Sequence, residues 1–178
     1  MTTNSDAEKQ LELEKWEEWY DLTKEELKNT EKRFERIEEK MTKYSVLITF
    51  IIGIVAIKLG PFIQIWKEAD SCMDWYFITF FISLGIASFI ALFLYIITLE
   101  FETFFGTPVD PEALKTFQDN NYVNALFAMS DSNLKAINKN KAIIERKLIL
   151  AHMAYRFTLA SIILTGLCVF TYTYSNVI

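Results

Sequence analysis

Apolar residues along this 178-residue chain fall into two patterns. The first is continuous. Trp75 to Leu99, WYFITFFISLGIASFIALFLYIITL, carries no charged side chain. As a helix it spans roughly 37 Å, enough to cross the roughly 30 Å hydrocarbon core of a bilayer with some tilt. The second is periodic. From Leu13 a heptad runs without a break, with Leu13, Tyr20, Leu27, Phe34 and Met41 at its first position and Trp16, Thr23, Thr30, Ile37 and Tyr44 at its fourth. Glu and Lys fill the positions between, which predicts a long amphipathic helix that packs along its whole length. Two packings are open to it: the chain's own other helices, or neighbouring copies in a ring through Leu13, Trp16, Tyr20, Leu27, Phe34, Ile37 and Met41.

The remaining elements follow from the same reading. Asn4, Ser5 and Asp6 offer N-cap chemistry for the first helix. Tyr44 to Trp66 is uncharged up to Lys58 and apolar again after it, long enough for a first span, with Gly60-Pro61 expected to kink or end it. Trp66 and Trp75 flank a short acidic connection as interfacial aromatics. Asp110-Pro111 reads as a turn and helix start, and Leu114, Phe117, Tyr122, Leu126, Phe127 and Met129 predict two short helices with a buried face. Ser130 to Asn133 reads as the cap of a last long helix beginning near Ser132, whose uncharged end makes the third span. The expected fold is an all-α membrane protein. It comprises a cytoplasmic amphipathic helix over 1–43, spans over 44–66, 75–99 and 153–177, and a small cytoplasmic helical segment over 103–152.

Charge adds orientation. Met1 to Tyr44 holds 13 acidic and 9 basic residues, while Trp75 to Leu99 holds none. Arg33, Arg36, Lys40 and Lys43 precede the first span, and six basic residues lie between Lys135 and Arg156, so the N-terminus is expected in the cytoplasm and the C-terminus outside. The polar first 40 residues do not read as a cleavable signal peptide. A net charge of −5 argues against bulk nucleic-acid binding. Cys72 and Cys168 make neither a disulfide framework nor a metal site. No cofactor or metal is expected.

Candidate chemistry is sparse. No zinc-protease, Cys-x-x-Cys, phosphate-loop or nucleophile-elbow pattern is present. Polar residues inside the spans are more informative. Thr158, Ser161, Thr165 and Cys168 make one stripe on the third span, extended back by Ala154, Ala151 and Lys147. Thr49, Gly53 and Lys58 mark an alternative face on the first. Such faces either pack helices closely or line a water-filled lumen, and three spans in one chain cannot enclose a useful pore without further copies. The one catalytic-looking spacing is Arg146-x5-His152, which is similar to the Arg-x4–6-His motif of HEPN-type ribonucleases. Lys147 departs from the Asn, Asp or His usual after that Arg.

The length, the acidic heptad helix, the C-terminal apolar helix and Arg146-x5-His152 together resemble the small accessory membrane proteins encoded beside type VI-B CRISPR effectors, in particular the accessory that enhances interference. That resemblance implies a homo-oligomeric pore in the bacterial inner membrane. The pore would act downstream of a partner RNA-guided ribonuclease in antiphage defence, with the HEPN-like motif vestigial. On this reading the chain is not an enzyme. A membrane-tethered HEPN-like ribonuclease and a non-conducting adaptor that recruits a partner are the alternatives.

Overall fold

The computed structural model describes residues 3–100, 103–106, 115 and 121–177. Among the described residues the chain is all-helical, with four helices and no strand: α1 (Thr3–Ile57), α2 (Leu59–Glu68), α3 (Cys72–Glu100) and α4 (Tyr122–Val177). Three of them, α1, α3 and α4, are long and apolar enough to cross a membrane. The side chains of Asn4, Ser5 and Asp6, and the segment with Pro108, Asp110, Pro111, Leu114 and Phe117, lie outside the described residues.

The end of α1 has a local cause. Pro61 has no N–H for the carbonyl of Ile57, and its ring crowds that carbonyl. The helix stops at Ile57, Lys58 takes φ −87° and ψ 0°, and α2 starts at Leu59. Phe62 N–H then donates to the Lys58 carbonyl at 3.0 Å, which restarts the ladder.

The expected helix start near Ser132 is corrected. α4 begins at Tyr122 and passes straight through Ser130–Asn133, so Tyr122, Leu126, Phe127 and Met129 belong to its first turns and not to a separate short helix. Ser130 and Asn133 are each 1% exposed and sit on the packed face. The heptad carried by Leu126, Ser130, Asn133 and Ile137 outweighs the capping preference of Ser and Asn, because burying that face stabilises an unbroken helix more than a cap would.

The chain divides into two units, Met1–Arg36 with Glu102–Glu145, and Ile37–Phe101 with Arg146–Ile178. In the first, Leu27 packs with Ala136, Ile137 and Phe104. Phe34 meets Phe104 edge-on at 5.7 Å, and Trp16 meets Phe127 at 5.1 Å. Thr23 and Thr30 of the heptad are buried and turn their hydroxyls back onto the carbonyls of Tyr20 and Glu26. Hydrogen bonding to Glu17 pushes the Tyr122 phenol above its ordinary value and ties the start of α4 to α1.

In the second unit the core joins Met41, Ile48 and Ile51 of α1, Phe77, Phe81, Leu84, Ala91 and Tyr95 of α3, and Ala154 and Cys168 of α4. Phe62 of α2 stacks on Phe81 at 4.5 Å. The buried positions of α3 recur every three or four residues, while Ile86, Phe89 and Phe93 on its other side are 57–64% exposed. A helix apolar all round with one packed side is what a lipid-facing span requires.

The heptad seam of α1 is therefore occupied within the chain. Leu27, Phe34 and Met41 are 8%, 6% and 3% exposed, and Leu13, Trp16, Tyr20 and Ile37 are half-buried. Phe34→Ala is expected to cost about 3 kcal/mol. Leu27→Asp should unfold the first unit outright by burying an unpaired charge. Thermal unfolding of the purified protein in detergent, followed by circular dichroism, checks both; an unchanged midpoint for Leu27→Asp would contradict the packing.

Candidate functional site

The polar stripe of the third span lies on the packed face of α4. Thr158 is 2% exposed, Ser161 0% and Cys168 7%, with Thr165 half-buried. Each hydroxyl bonds back to its own helix: Thr158 to the Ala154 carbonyl at 2.9 Å, Ser161 to Phe157 at 2.9 Å and Thr165 to Ser161 at 2.8 Å. Two of them also reach α3. The Tyr95 hydroxyl lies 2.7 Å from Thr158 Oγ1, and Ser88 Oγ donates to Ser161 Oγ at 3.2 Å. Within one chain these residues fasten α4 to α3.

The stripe is part of a longer series. Asn133, Asn140, Lys147, Ala154, Ser161 and Cys168 recur every seven residues and are all buried. The polar members each have a specific partner. Asn133 Nδ2 donates to Thr23 Oγ1 at 3.4 Å. Asn140 clasps one backbone unit, donating to the Phe105 carbonyl at 2.8 Å and accepting from the Phe105 N–H at 2.9 Å. Lys147, its side chain only 3% exposed, reaches Glu38 Oε1 at 2.8 Å. The seven-residue spacing was the signal that could have found Asn133 and Asn140. Ser88 and Tyr95 are also seven residues apart, and Thr98 follows on the same buried side, but three polar residues are a faint mark in so apolar a helix.

Arg146 and His152 are both exposed on α4. Six residues apart on one helix, they point about 120° away from each other. One copy of the helix therefore does not bring them together as an acid–base pair. Among the described residues no group of His, Cys, Asp and Glu has the spacing to hold a metal.

The first-span residues are left outside but do not share one face: Thr49, Gly53 and Gly60 fall within about 40° of one another, and Lys58 points about 140–180° away from them. Thr49, Gly53, Lys58 and Gly60 are all exposed. A Cβ added at Gly53 would meet nothing within 4 Å. Lys58 also borders a cavity of about 270 Å³ walled by residues such as Ile54, Pro61, Phe81 and Leu84, onto which Thr165 and Cys168 open. Among the described residues Lys58 makes no ion pair.

No model of a known protein family matches the chain, and neither a curated protein nor a solved structure matches it.

Two outcomes follow from the seam. Thr158→Val leaves the buried Tyr95 hydroxyl without its partner and is expected to cost about 2 kcal/mol, whereas Thr158→Val with Tyr95→Phe recovers most of that. Glu38→Gln takes the carboxylate charge away from Lys147 and should cost about 1 kcal/mol, below the limit for a fully buried pair because solvent reaches Glu38. Lys147→Met should be neutral or stabilising. Melting midpoints of the set in detergent give the comparison; additive losses at Thr158 and Tyr95 would show the hydroxyls to be uncoupled.

Proposed function

We propose that the chain is a multi-pass membrane protein whose copies assemble around a common axis to form a pore, with Lys58 of the first span turned towards that axis and the small exposed side of the same span, Thr49, Gly53 and Gly60, set against the neighbouring copy. The observation that carries this reading is Lys58. It stands in an otherwise uncharged span, exposed and with no ion pair among the described residues. Facing lipid, such a charge costs about 2.5–3.5 kcal/mol; facing water in a lumen, it is solvated. Small residues at Gly53 and Gly60 let neighbouring backbones approach closely. Thr158 and Ser161 of the third-span stripe are spent on α3 within the chain, which favours the first span as the lining.

In this reading the N-terminus and the segment before the third span lie in the cytoplasm, following the basic residues. The resemblance to CRISPR accessory membrane proteins supports a role in antiphage defence. Opening the pore would permeabilise or depolarise the inner membrane after a partner ribonuclease recognises viral RNA.

A ring of lysines favours anions. Purified protein in liposomes is expected to pass small anions faster than cations, and Lys58→Glu should reverse that preference. Gly53→Leu should leave the monomer folded while abolishing flux and large oligomers on size exclusion. Ion flux with unchanged selectivity in Lys58→Glu would remove α1 as the lining, and absence of any flux would remove the pore.

A further inference from the structure

The heptad of α1 continues into the first span. Met41, Ile48 and Val55 carry on its first position, and Tyr44, Ile51 and Lys58 its fourth. Met41, Ile48 and Ile51 are buried in the core of the second unit. Lys58 N–H still donates to the Ile54 carbonyl at 3.1 Å, so the helix period holds as far as that residue. It sets Lys58 on the side of α1 that meets α3 and α4. There Lys58 lines the cavity of about 270 Å³ with Phe77, Phe81, Leu84 and Cys168, which are all buried. The inner wall is aromatic and aliphatic. Lys58 itself is exposed at the edge, with no ion pair among the described residues. For scale, a cavity of about 150 Å³ admits benzene, so this one admits about ten chain carbons.

We propose that this cavity binds a single-chain carboxylate, a fatty acid, with its alkyl chain against Phe77, Phe81 and Leu84 and its carboxylate paired with Lys58. The wall takes methylene groups. The lysine selects an anion, because an ammonium held below the membrane interface is short of water to solvate it. Depth selects a carboxylate over a phosphate. Phe81 and Leu84 lie six and nine residues into α3 from Trp75. That places them about 9 and 14 Å below an interfacial ring. The phosphate of a phospholipid stays at the headgroup level with such a ring, whereas a carboxylate that ends a lone chain follows the chain down. The site lies within one copy and does not require the pore. Where Lys58 does face a pore axis, a consequence that rests on the pore reading, the bound carboxylate would cancel its charge and remove the preference for anions.

The test uses the full chain in phosphatidylcholine nanodiscs, with Cys72→Ser leaving Cys168 as the only thiol. Dodecanoate is expected to slow alkylation of Cys168 by a membrane-permeant maleimide, and to do so saturably, because the chain covers that wall. Lys58→Gln should weaken dodecanoate about tenfold, to the level of the neutral dodecanol, and Lys58→Arg should retain it. Native mass spectrometry should find a single dodecanoate per chain in the parent, whatever the reactivity of Cys168. Equal affinity for dodecanoate and dodecanol, or equal affinity in the parent and Lys58→Gln, would overturn the carboxylate site and leave an apolar void. Protection in phosphatidylglycerol nanodiscs without dodecanoate, lost in Lys58→Gln, would transfer the site to a phospholipid. No bound dodecanoate would overturn the site, and shielding of Cys168 in the oligomer alone would then assign the cavity to contact with a second copy. Ion flux in liposomes is read apart: binding without flux removes the pore and keeps the site, and flux without binding does the reverse.

Discussion

The rest of the structure depends on one constraint: a polar side chain shut inside a dry helix seam must find its partner there. α4 places Asn133, Asn140, Lys147, Thr158 and Ser161 on such a seam, and each is answered by a different group: a threonine hydroxyl, a backbone peptide, a carboxylate, a phenol and a serine. Apolar heptads tolerate sliding by a turn, because leucine packs on leucine almost anywhere. A clasp such as Asn140 on Phe105 does not. Displacing α4 by one turn would break all five pairings at once, so the polar residues specify register while the apolar residues supply most of the attraction.

The same logic divides the molecule's two surfaces. The seams of α1 and α4 are consumed inside the chain, including the residues best suited by pattern to hold a ring together. What remains outside in the second unit is apolar on α3 and mixed on the first span, where Val46, Phe50 and Ile57 stand exposed alongside Thr49, Gly53, Lys58 and Gly60. Membrane helices gain little from burying hydrocarbon against hydrocarbon, and close approach of small residues is the usual route to association. The exposed α1 face is therefore where association between copies is proposed.

Much of this was legible in the sequence. The charge-free Trp75–Leu99 run identified α3, and the heptad from Leu13 identified α1, because both signals repeat over many residues. The seam of α4 was visible only from Lys147 onward, since Ser130 and Asn133 read locally as a cap; a four-residue preference was set against a period sustained over more than forty, and the period won. Pro61 marked the break, which fell three residues earlier at Lys58 because the carbonyl the ring leaves unbonded is that of Ile57. The partners on α3 were hidden. Ser88, Tyr95 and Thr98 do fall on one side of α3 at helical spacing, but in a charge-free run of this length they read as part of a continuous apolar span.

The partners of the seam are far apart in the chain: Ser88 and Ser161 are 73 residues apart, Glu38 and Lys147 109. A ribosome delivers α1 and α3 well before the last third of α4 exists. Until then the hydroxyls of Ser88 and Tyr95 lie in a span with nothing to bond, and the Glu38 carboxylate waits in water. The final helix thus acts as a bolt, shot last, and a nascent chain stalled before Lys147 is a chain that an insertase or a protease can still tell from a finished one.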